Sequence, residues 1–232
     1  MRRILILLLT LLFAFYGVKA QYDATFEDII VKGKAYHLGI FGAVNLGISV
    51  KWAACNVGAE SPSDYGNHNA WGETESKEWY DWLLYFDSVQ RNNHYFKKYN
   101  VGHKDQLDLE DAVAHVQMVK SWRMPTKDEF DELLSRCTWI WSKYEGHRGY
   151  FVVGSTGNAI FLPAGGHYEG YRLYDEGCCG RYWSSSFVKN LRIVHIISVF
   201  PLAYSIAMLP PVRKEKVYML FVCSKNQCRD AL

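Results

Sequence analysis

The sequence predicts an α+β domain with short strands, about two helices and long irregular loops. Three observations predict this fold class. Apolar residues alternate over short stretches, as they do in strands with one buried face. Two other stretches carry the start signals of short helices. Long stretches rich in Gly, Ser, Pro, Asp and Asn separate these elements, and such mixtures are typical of α+β domains.

The predicted strands and loops follow in chain order. Residues 44–52 alternate well enough to form one strand, and residues 56–69 have the composition of a long loop. Residues 150–153 and 159–162 flank a Gly154-Ser-Thr-Gly157 turn, which predicts a β-hairpin. We expect a second long loop at 165–180.

Two helices are expected between these strands. Residues 108–119 begin with acidic side chains, which favour a helix start. Thr126 is a suitable N-cap for the second helix, and Glu129 completes a capping box three residues later. The apolar face of this helix comprises Phe130, Leu133 and Leu134, and the helix is expected to end near Cys137.

Residues 1–20 have the pattern of a cleaved export signal. Two arginines precede an apolar run over 4–15, and Val18-Lys19-Ala20 suits cleavage before Gln21. The run of roughly 12 residues is shorter than the 20 or so that span a bilayer, so we expect no transmembrane helix in the mature chain. The protein is therefore expected in the periplasm, at the cell surface or in the medium.

Removal of this signal changes the charge of the chain and leaves 212 residues, enough for one domain. The formal net charge falls from +2 to −1, because Arg2, Arg3 and Lys19 are lost. A near-neutral chain gives no electrostatic reason to bind nucleic acid. Export permits disulfides among the six cysteines, but six cysteines allow 15 pairings. The cysteines are Cys55, Cys137, Cys178, Cys179, Cys223 and Cys228.

Six strings of residues together resemble one bacterial domain family. They are Leu46-Gly-Ile-Ser-Val-Lys-Trp-Ala-Ala-Cys-Asn-Val-Gly-Ala59, Ala70-Trp-Gly-Glu-Thr74, Trp122-Arg-Met-Pro-Thr126, Leu133-Leu…Cys137-Thr-Trp139, Asn158-Ala-Ile-Phe-Leu-Pro-Ala164 and Tyr182-Trp-Ser-Ser-Ser186. In this order they resemble the major paralogous domain family first named from Fibrobacter succinogenes, abundant in gut Bacteroides-type bacteria. The resemblance implies a C-type-lectin-like fold, shared with the formylglycine-generating enzymes, over residues 44–186. It leaves residues 21–43 as an N-terminal lead-in.

The resemblance also bears on the cysteines. Cys55 and Cys137 lie where the family strings place cysteines, and in an exported chain this favours a disulfide between them. The alternative is that both are buried free thiols.

The residues after 186 differ from the rest of the chain. All 18 glycines and all 8 tryptophans lie before residue 187, and the family's usual closing strands are missing from 187–232. One choice of codons for 193–200 gives a family-like Ser-Ala-Tyr-Tyr-Leu-Cys-Phe string in a shifted frame. We therefore hypothesise that a frameshift in the gene or its sequence produced this tail, which the nucleotide sequence would reveal.

Aromatic residues in the loops are the candidate ligand-binding residues. Aromatic rings stack on the C–H faces of sugars while their polar tips form hydrogen bonds. Tryptophans within the family strings are expected in the core. The better candidates lie outside those strings, in loop-like stretches: Trp79, Tyr80, Trp82, Tyr168, Tyr171 and Tyr174.

Three carboxylates offer a candidate metal site. Asp108, Glu110 and Asp111 lie within four residues, and such oxygen ligands suit calcium. No calcium-loop motif accompanies them, so an acidic first helical turn is the favoured interpretation and no cofactor is expected.

The expected function is binding of a glycan or another surface protein, without catalysis. Ser184, Ser185 and Ser186 lack a Gly-x-Ser-x-Gly setting, and the lone carboxylate of Glu73 has no partner placed by spacing. The alternatives are a structural component of a surface assembly, a glycan hydrolase, or a thiol-dependent oxidase that uses Cys178-Cys179.

The export signal gives a direct prediction about the mature chain. Expressed in its bacterial host, the protein should be recovered outside the cytoplasm with Gln21 as its first residue, because the signal is removed during export. Mass spectrometry of N-terminal peptides from cell fractions measures this. Recovery of cytoplasmic chains that retain residues 1–20 would contradict it.

Overall fold

The computed structural model describes residues 24–80, 105–118 and 121–188, together with the strands at 193–199 and 204–208. From residue 187 onward only the backbone is described. In the described part of the chain, mixed sheets are combined with two α-helices. The predicted α+β class is confirmed.

The chain opens with a β-hairpin where the sequence predicts only a lead-in. Strand β1 (Thr25–Val31) pairs antiparallel with β2 (Lys34–Phe41). Lys32 and Gly33 form the two-residue turn with φ angles of 49° and 79°. Positive φ at both turn residues matches the right-handed twist of paired strands, and glycine adopts it without steric cost. The Lys-Gly pair was the available signal for this hairpin.

The first sheet has five strands in the order β1-β2-β7-β6-β5. Its other members are β5 (Thr138–Tyr144), β6 (His147–Val153) and β7 (Asn158–Pro163). β6 and β7 pair antiparallel across the 154–157 turn, which confirms the predicted hairpin. β2 and β7 pair in parallel, so the N-terminal hairpin joins the sheet as its edge.

The predicted strand over 44–52 is wrong. Only its ends are extended, as β3 (Ala43–Val44) and β4 (Trp52–Ala53), which pair with each other. Between them the backbone bonds to the β6–β7 turn, where Ser155 N–H donates to the Leu46 carbonyl at 3.0 Å. Gly47 has a φ of 77°, and a Cβ there would lie 2.2 Å from Ser155 Oγ. Tertiary hydrogen bonds thus replace the expected ladder.

Three short helical segments are found among the described residues between β4 and β5. A 3-10 turn spans Leu109–Asp111, helix α1 spans Val113–Gln117 and helix α2 spans Lys127–Arg136. The expected helix over 108–119 is therefore divided, because Ala112 is extended with φ −94° and ψ 108°. For α2, the Thr126 capping box and the Cys137 C-cap are confirmed.

The main core lies between α2 and one face of the first sheet. Phe130, Leu133 and Leu134 of α2 are buried against residues of both central strands, as the helix pattern predicts. β6 and β7 are buried on both faces. Tyr150, Val152, Ile160 and Leu162 meet the helix, whereas Phe151, Val153, Ala159 and Phe161 form a second cluster with Val31 and Leu38.

The second sheet has the order β12-β11-β10-β8-β9. Its strands are β8 (Gly165–Glu169), β9 (Arg172–Glu176), β10 (Gly180–Val188), β11 (Ile193–Val199) and β12 (Tyr204–Met208). The long loop predicted at 165–180 is wrong, because β8 and β9 form an antiparallel hairpin there. Polar and aromatic residues hide the alternation of apolar and polar side chains that would have predicted these two strands. β11 and β12, from the compositionally distinct tail, pair antiparallel next to β10.

The N-cap of α2 gives a stability prediction. Thr126→Ala removes the hydroxyl that accepts from Glu129 N–H, so we expect the free energy of unfolding to fall by about 1 kcal/mol. Thr126→Ser retains this acceptor and should change stability by only a few tenths of that value. Urea unfolding of the three chains measures the difference. Equal stability of the alanine and serine variants would contradict the prediction.

Candidate functional site: an aromatic cluster

The structure brings together two aromatic sets that are 90 residues apart in the sequence. Tyr80 and Gly170 form a β-bridge in which each N–H donates to the other's carbonyl at 2.8 Å. Gly170 occupies the turn of the β8–β9 hairpin with a φ of 61°. The bridge places residues 79–80 directly against the predicted residues of that hairpin. We call Trp79, Tyr80, Tyr168 and Tyr171 the aromatic cluster.

The inner layer of the cluster is held by ring packing and hydrogen bonds. Tyr168 stacks on Tyr80 with 5.3 Å between ring centroids, and meets the edge of His68 at 5.0 Å. The Tyr80 hydroxyl donates to the His68 carbonyl, and burial raises the pKa of that hydroxyl, which keeps it a donor. His68 Nε2 donates in turn to the Gly165 carbonyl at 2.9 Å.

The outer layer is exposed. Trp79 is 44% exposed and Tyr171 is 62% exposed, with ring centroids 5.4 Å apart and planes tilted by 43°. Tyr174 is 40% exposed and packs beside His167 on the same hairpin, at 5.6 Å. Large rings with polar tips are thus presented to solvent on a support that is itself packed.

Two cations lie over rings of the cluster. Lys77 Nζ is 5.6 Å from the centroid of the Tyr80 ring and forms an ion pair with Glu73 at 2.8 Å. The Arg172 guanidinium carbon is 5.8 Å from the centroid of the Tyr171 ring. Both distances allow attraction between the positive charge and the ring face.

A buried polar network attaches the hairpin to β10. Arg181 Nη2 donates to Asp175 Oδ2 at 2.9 Å, and His167 Nδ1 lies 3.6 Å from the same carboxylate oxygen. Burial lowers the pKa of Arg181 to about 10, so it remains charged at neutral pH. Burial and, secondarily, the Arg181 charge lower the pKa of His167, so its ring is neutral at pH 7. A charged pair therefore anchors the strand that carries Tyr174.

The sequence predicted the aromatic residues of this site but not the residues that pack against them. Five of the six predicted binding residues are described, and four of them form the aromatic cluster; Trp82 lies outside the described residues. His68, Lys77 and Arg172 were not predicted. No local pattern marks them, because His68 reaches Tyr168 across a separation of 100 residues.

Other tryptophans serve as packing residues. Trp71 is buried and donates from its ring nitrogen to the Ser184 carbonyl at 2.8 Å. Trp139 and Trp141 meet Tyr150 edge-on at 5.4 and 5.0 Å. Trp183 is half-buried and donates to the Asn69 carbonyl at 2.8 Å. Of the family-string tryptophans named here, Trp71 lies in the core, whereas Trp139 and Trp183 are half-buried and pack against it.

The three candidate metal-binding carboxylates do approach one another. Single oxygens of Asp108, Glu110 and Asp111 all lie within 4.8 Å of one another at the start of the 3-10 turn. Asp111 is buried, whereas Glu110 is exposed. Glu110 and Asp111 also occupy the first turn, where the helix dipole stabilises negative charges. Calcium binding here stays the alternative to the favoured interpretation, an acidic first helical turn.

The Cys55–Cys137 disulfide expected from the sequence is not formed in this structure. Both thiols are free, and no two of the described cysteines lie at disulfide-bonding distance. The Cys55 thiol donates to the Ile40 carbonyl of β2 at 3.6 Å, whereas Cys137 caps α2. Burial and the nearby Asp64 carboxylate raise the pKa of the Cys55 thiol to about 11.

The remaining reactive candidates have structural contacts. Lys127 N–H donates to Ser186 Oγ at 2.9 Å, and the Ser185 hydroxyl donates to the Pro125 carbonyl at 3.2 Å. The carboxylate of Glu73 is paired with Lys77. The backbone N–H groups of Cys178 and Cys179 both donate to the Asp175 carbonyl at 3.0 Å.

No protein-family model, curated protein or solved structure matches the chain. The family resemblance and the lectin-like fold therefore remain predictions. Among the helices of the described residues, none has the length and apolarity needed to cross a membrane.

Thiol labelling distinguishes the free cysteines from the disulfide. At pH 8 without reductant, Cys55 should react with iodoacetamide at least about tenfold more slowly in the folded chain than in urea, because its raised pKa leaves little thiolate. Peptide mapping measures the extent of labelling at each cysteine. If Cys55 and Cys137 stay unlabelled in urea until reductant is added, the disulfide predicted from the sequence exists and the free-thiol arrangement is wrong.

Proposed function

We propose that this chain is an exported module with a C-type-lectin-like fold that binds glycan chains on the exposed rings of Trp79 and Tyr171. The observation that carries the proposal is the meeting of these two rings, 5.4 Å apart, at the surface of a rigidly supported turn. The proposal assigns no reaction to the chain.

The chemical character of the surface favours a sugar as the ligand. Three exposed aromatic residues with polar tips, Trp79, Tyr171 and Tyr174, lie on or beside the β8–β9 hairpin. Stacking of their rings on sugar C–H groups leaves the indole N–H and the phenol hydroxyls free for sugar hydroxyls. Purely apolar exposed side chains lie on other elements: Phe26, Ile30, Phe41, Leu109 and Val116.

The inner layer reduces the cost of binding. Tyr168 is packed between Tyr80 and His68, and the Tyr80–Gly170 bridge fixes the backbone beneath the exposed rings. A surface that is already ordered loses less conformational entropy when it binds a ligand. Because less entropy is lost on binding, a sugar can bind this surface with few contacts.

Export is supported by residues 1–20, which lie outside the described residues. The resemblance over 44–186 points to the same exterior location. A module outside the cell encounters polysaccharides of the host, its food or other cells, which agrees with a glycan-binding role.

The test is a binding measurement on single ring deletions. The mature chain is screened on a glycan array, and its affinity for the strongest ligand is measured by calorimetry. Trp79→Ala and Tyr171→Ala should each weaken binding by about tenfold or more, because each removes a stacking ring. Phe41→Ala is the matched control, since it removes an exposed aromatic ring, 52% accessible, from β2.

The control variant should bind as the unmodified chain does, and all three variants should keep its melting temperature. A chain that binds no glycan on the array would refute the proposed function. Equal affinities of the two cluster variants and the unmodified chain would refute the proposed site.

A further inference from the structure

We propose that the glycan is acidic: a polysaccharide containing uronic acids, whose carboxylate pairs with Arg172 while its ring stacks on Trp79 and Tyr171. This inference rests on the proposed function and names the class of sugar. It depends on one unusual arrangement of charges on the β8–β9 hairpin.

Arg172 lies directly opposite a carboxylate in the hairpin register. Glu169 and Arg172 are paired residues of β8 and β9, next to the turn. Opposite charges in this position ordinarily form a cross-strand ion pair. Here the Glu169 carboxylate is directed along its own strand instead, with Oε1 3.4 Å from His167 Nε2.

The guanidinium of Arg172 is consequently available to a ligand. Arg172 is exposed and forms no ion pair with any residue that the structure describes. It lies 5.8 Å from the ring of Tyr171, which in turn is 5.4 Å from the ring of Trp79. A sugar stacked on these two rings therefore lies within reach of the guanidinium. The planar fork of arginine matches a carboxylate with two parallel hydrogen bonds.

The other cation of the site is already engaged. Lys77 pairs with the Glu73 carboxylate at 2.8 Å and lies over the inner ring of Tyr80. Glu75 and Glu78 are exposed and precede Trp79 in the chain, so the surroundings of the cluster are not basic overall. Recognition of an acid therefore depends on direct contact with Arg172 and not on long-range attraction.

The experiment compares acidic sugars with their neutral counterparts. Hexamers of galacturonate, guluronate and glucuronate, and the methyl ester of each, are titrated into the mature chain by calorimetry. Methyl esterification removes the negative charge and retains the sugar ring. We expect at least one acid to bind about tenfold more tightly than its ester, because only the ionised carboxylate forms charge-assisted hydrogen bonds.

Two arginine variants assign this preference to one residue. Arg172→Gln should bind the acid and the ester equally, with the affinity for the ester within about twofold of the unmodified chain. Arg136→Gln is the matched control, because Arg136 is an exposed arginine on α2 and should leave the preference unchanged. Thermal unfolding confirms that both variants are folded.

Each alternative outcome has a definite meaning. Equal binding of acids and esters, or binding only of neutral glycans on the array, overturns this inference while the proposed function stands. A preference for the acid that persists in Arg172→Gln also overturns it. Failure of every uronate while a hexaglutamate peptide binds would identify an acidic protein partner instead. A chain that binds no glycan at all refutes the proposed function itself.

Discussion

The rest of the structure depends on one constraint: the buried backbone groups of residues 182–186 in β10 must find hydrogen-bond partners. The Ser184 carbonyl accepts from the Trp71 ring, and the Ser185 carbonyl accepts from Leu107 N–H at 2.8 Å. Ser185 N–H donates to the Pro125 carbonyl, and Ser186 Oγ accepts from the first turn of α2. A buried backbone group without a partner is costly. This segment therefore fixes three separate stretches of irregular chain at once.

The irregularity of β10 is what makes these contacts possible. Its ladder with β11 shifts register between Trp183 and Phe187. The residues in this interval turn their polar groups toward the loops instead of toward a neighbouring strand. Trp71 and Trp183 then insert between the loops, and each ring nitrogen bonds a backbone carbonyl. Long loops can hold a definite shape in this way, although they contain little regular structure of their own.

The aromatic cluster at the surface is held in the same way, by backbone pairing of an irregular segment. The bridge at Tyr80 is one more irregular segment paired to a strand turn, and it supports exposed rings with packed ones. The ion pair between the buried Arg181 side chain and the partly exposed Asp175 holds the hairpin at β10. Replacement of a buried ion pair by apolar residues is often neutral for stability. The pair links β9 to β10, next to the single parallel bridge between β10 and β8.

Local patterns in the sequence determined the elements that depend on near neighbours. The capping box of α2, its buried face and the 150–162 hairpin follow from interactions within a few residues, so the sequence predicts them correctly. The N-terminal hairpin, the divided strand at 44–52 and the 165–176 hairpin were missed. The divided strand depends on a distant partner, the 154–157 turn. The two hairpins are local, but their polar and aromatic residues hide the alternation that would predict strands.

The same division applies to the candidate site. The sequence identified the exposed aromatic residues by their type and by the loop-like character of their surroundings. It did not determine that Trp79 meets Tyr171, nor that Glu169 faces His167 and leaves Arg172 to the surface. Only the tertiary structure decides these pairings, because a bridge between residues 80 and 170 and a choice between two possible partners leave no local pattern in the sequence.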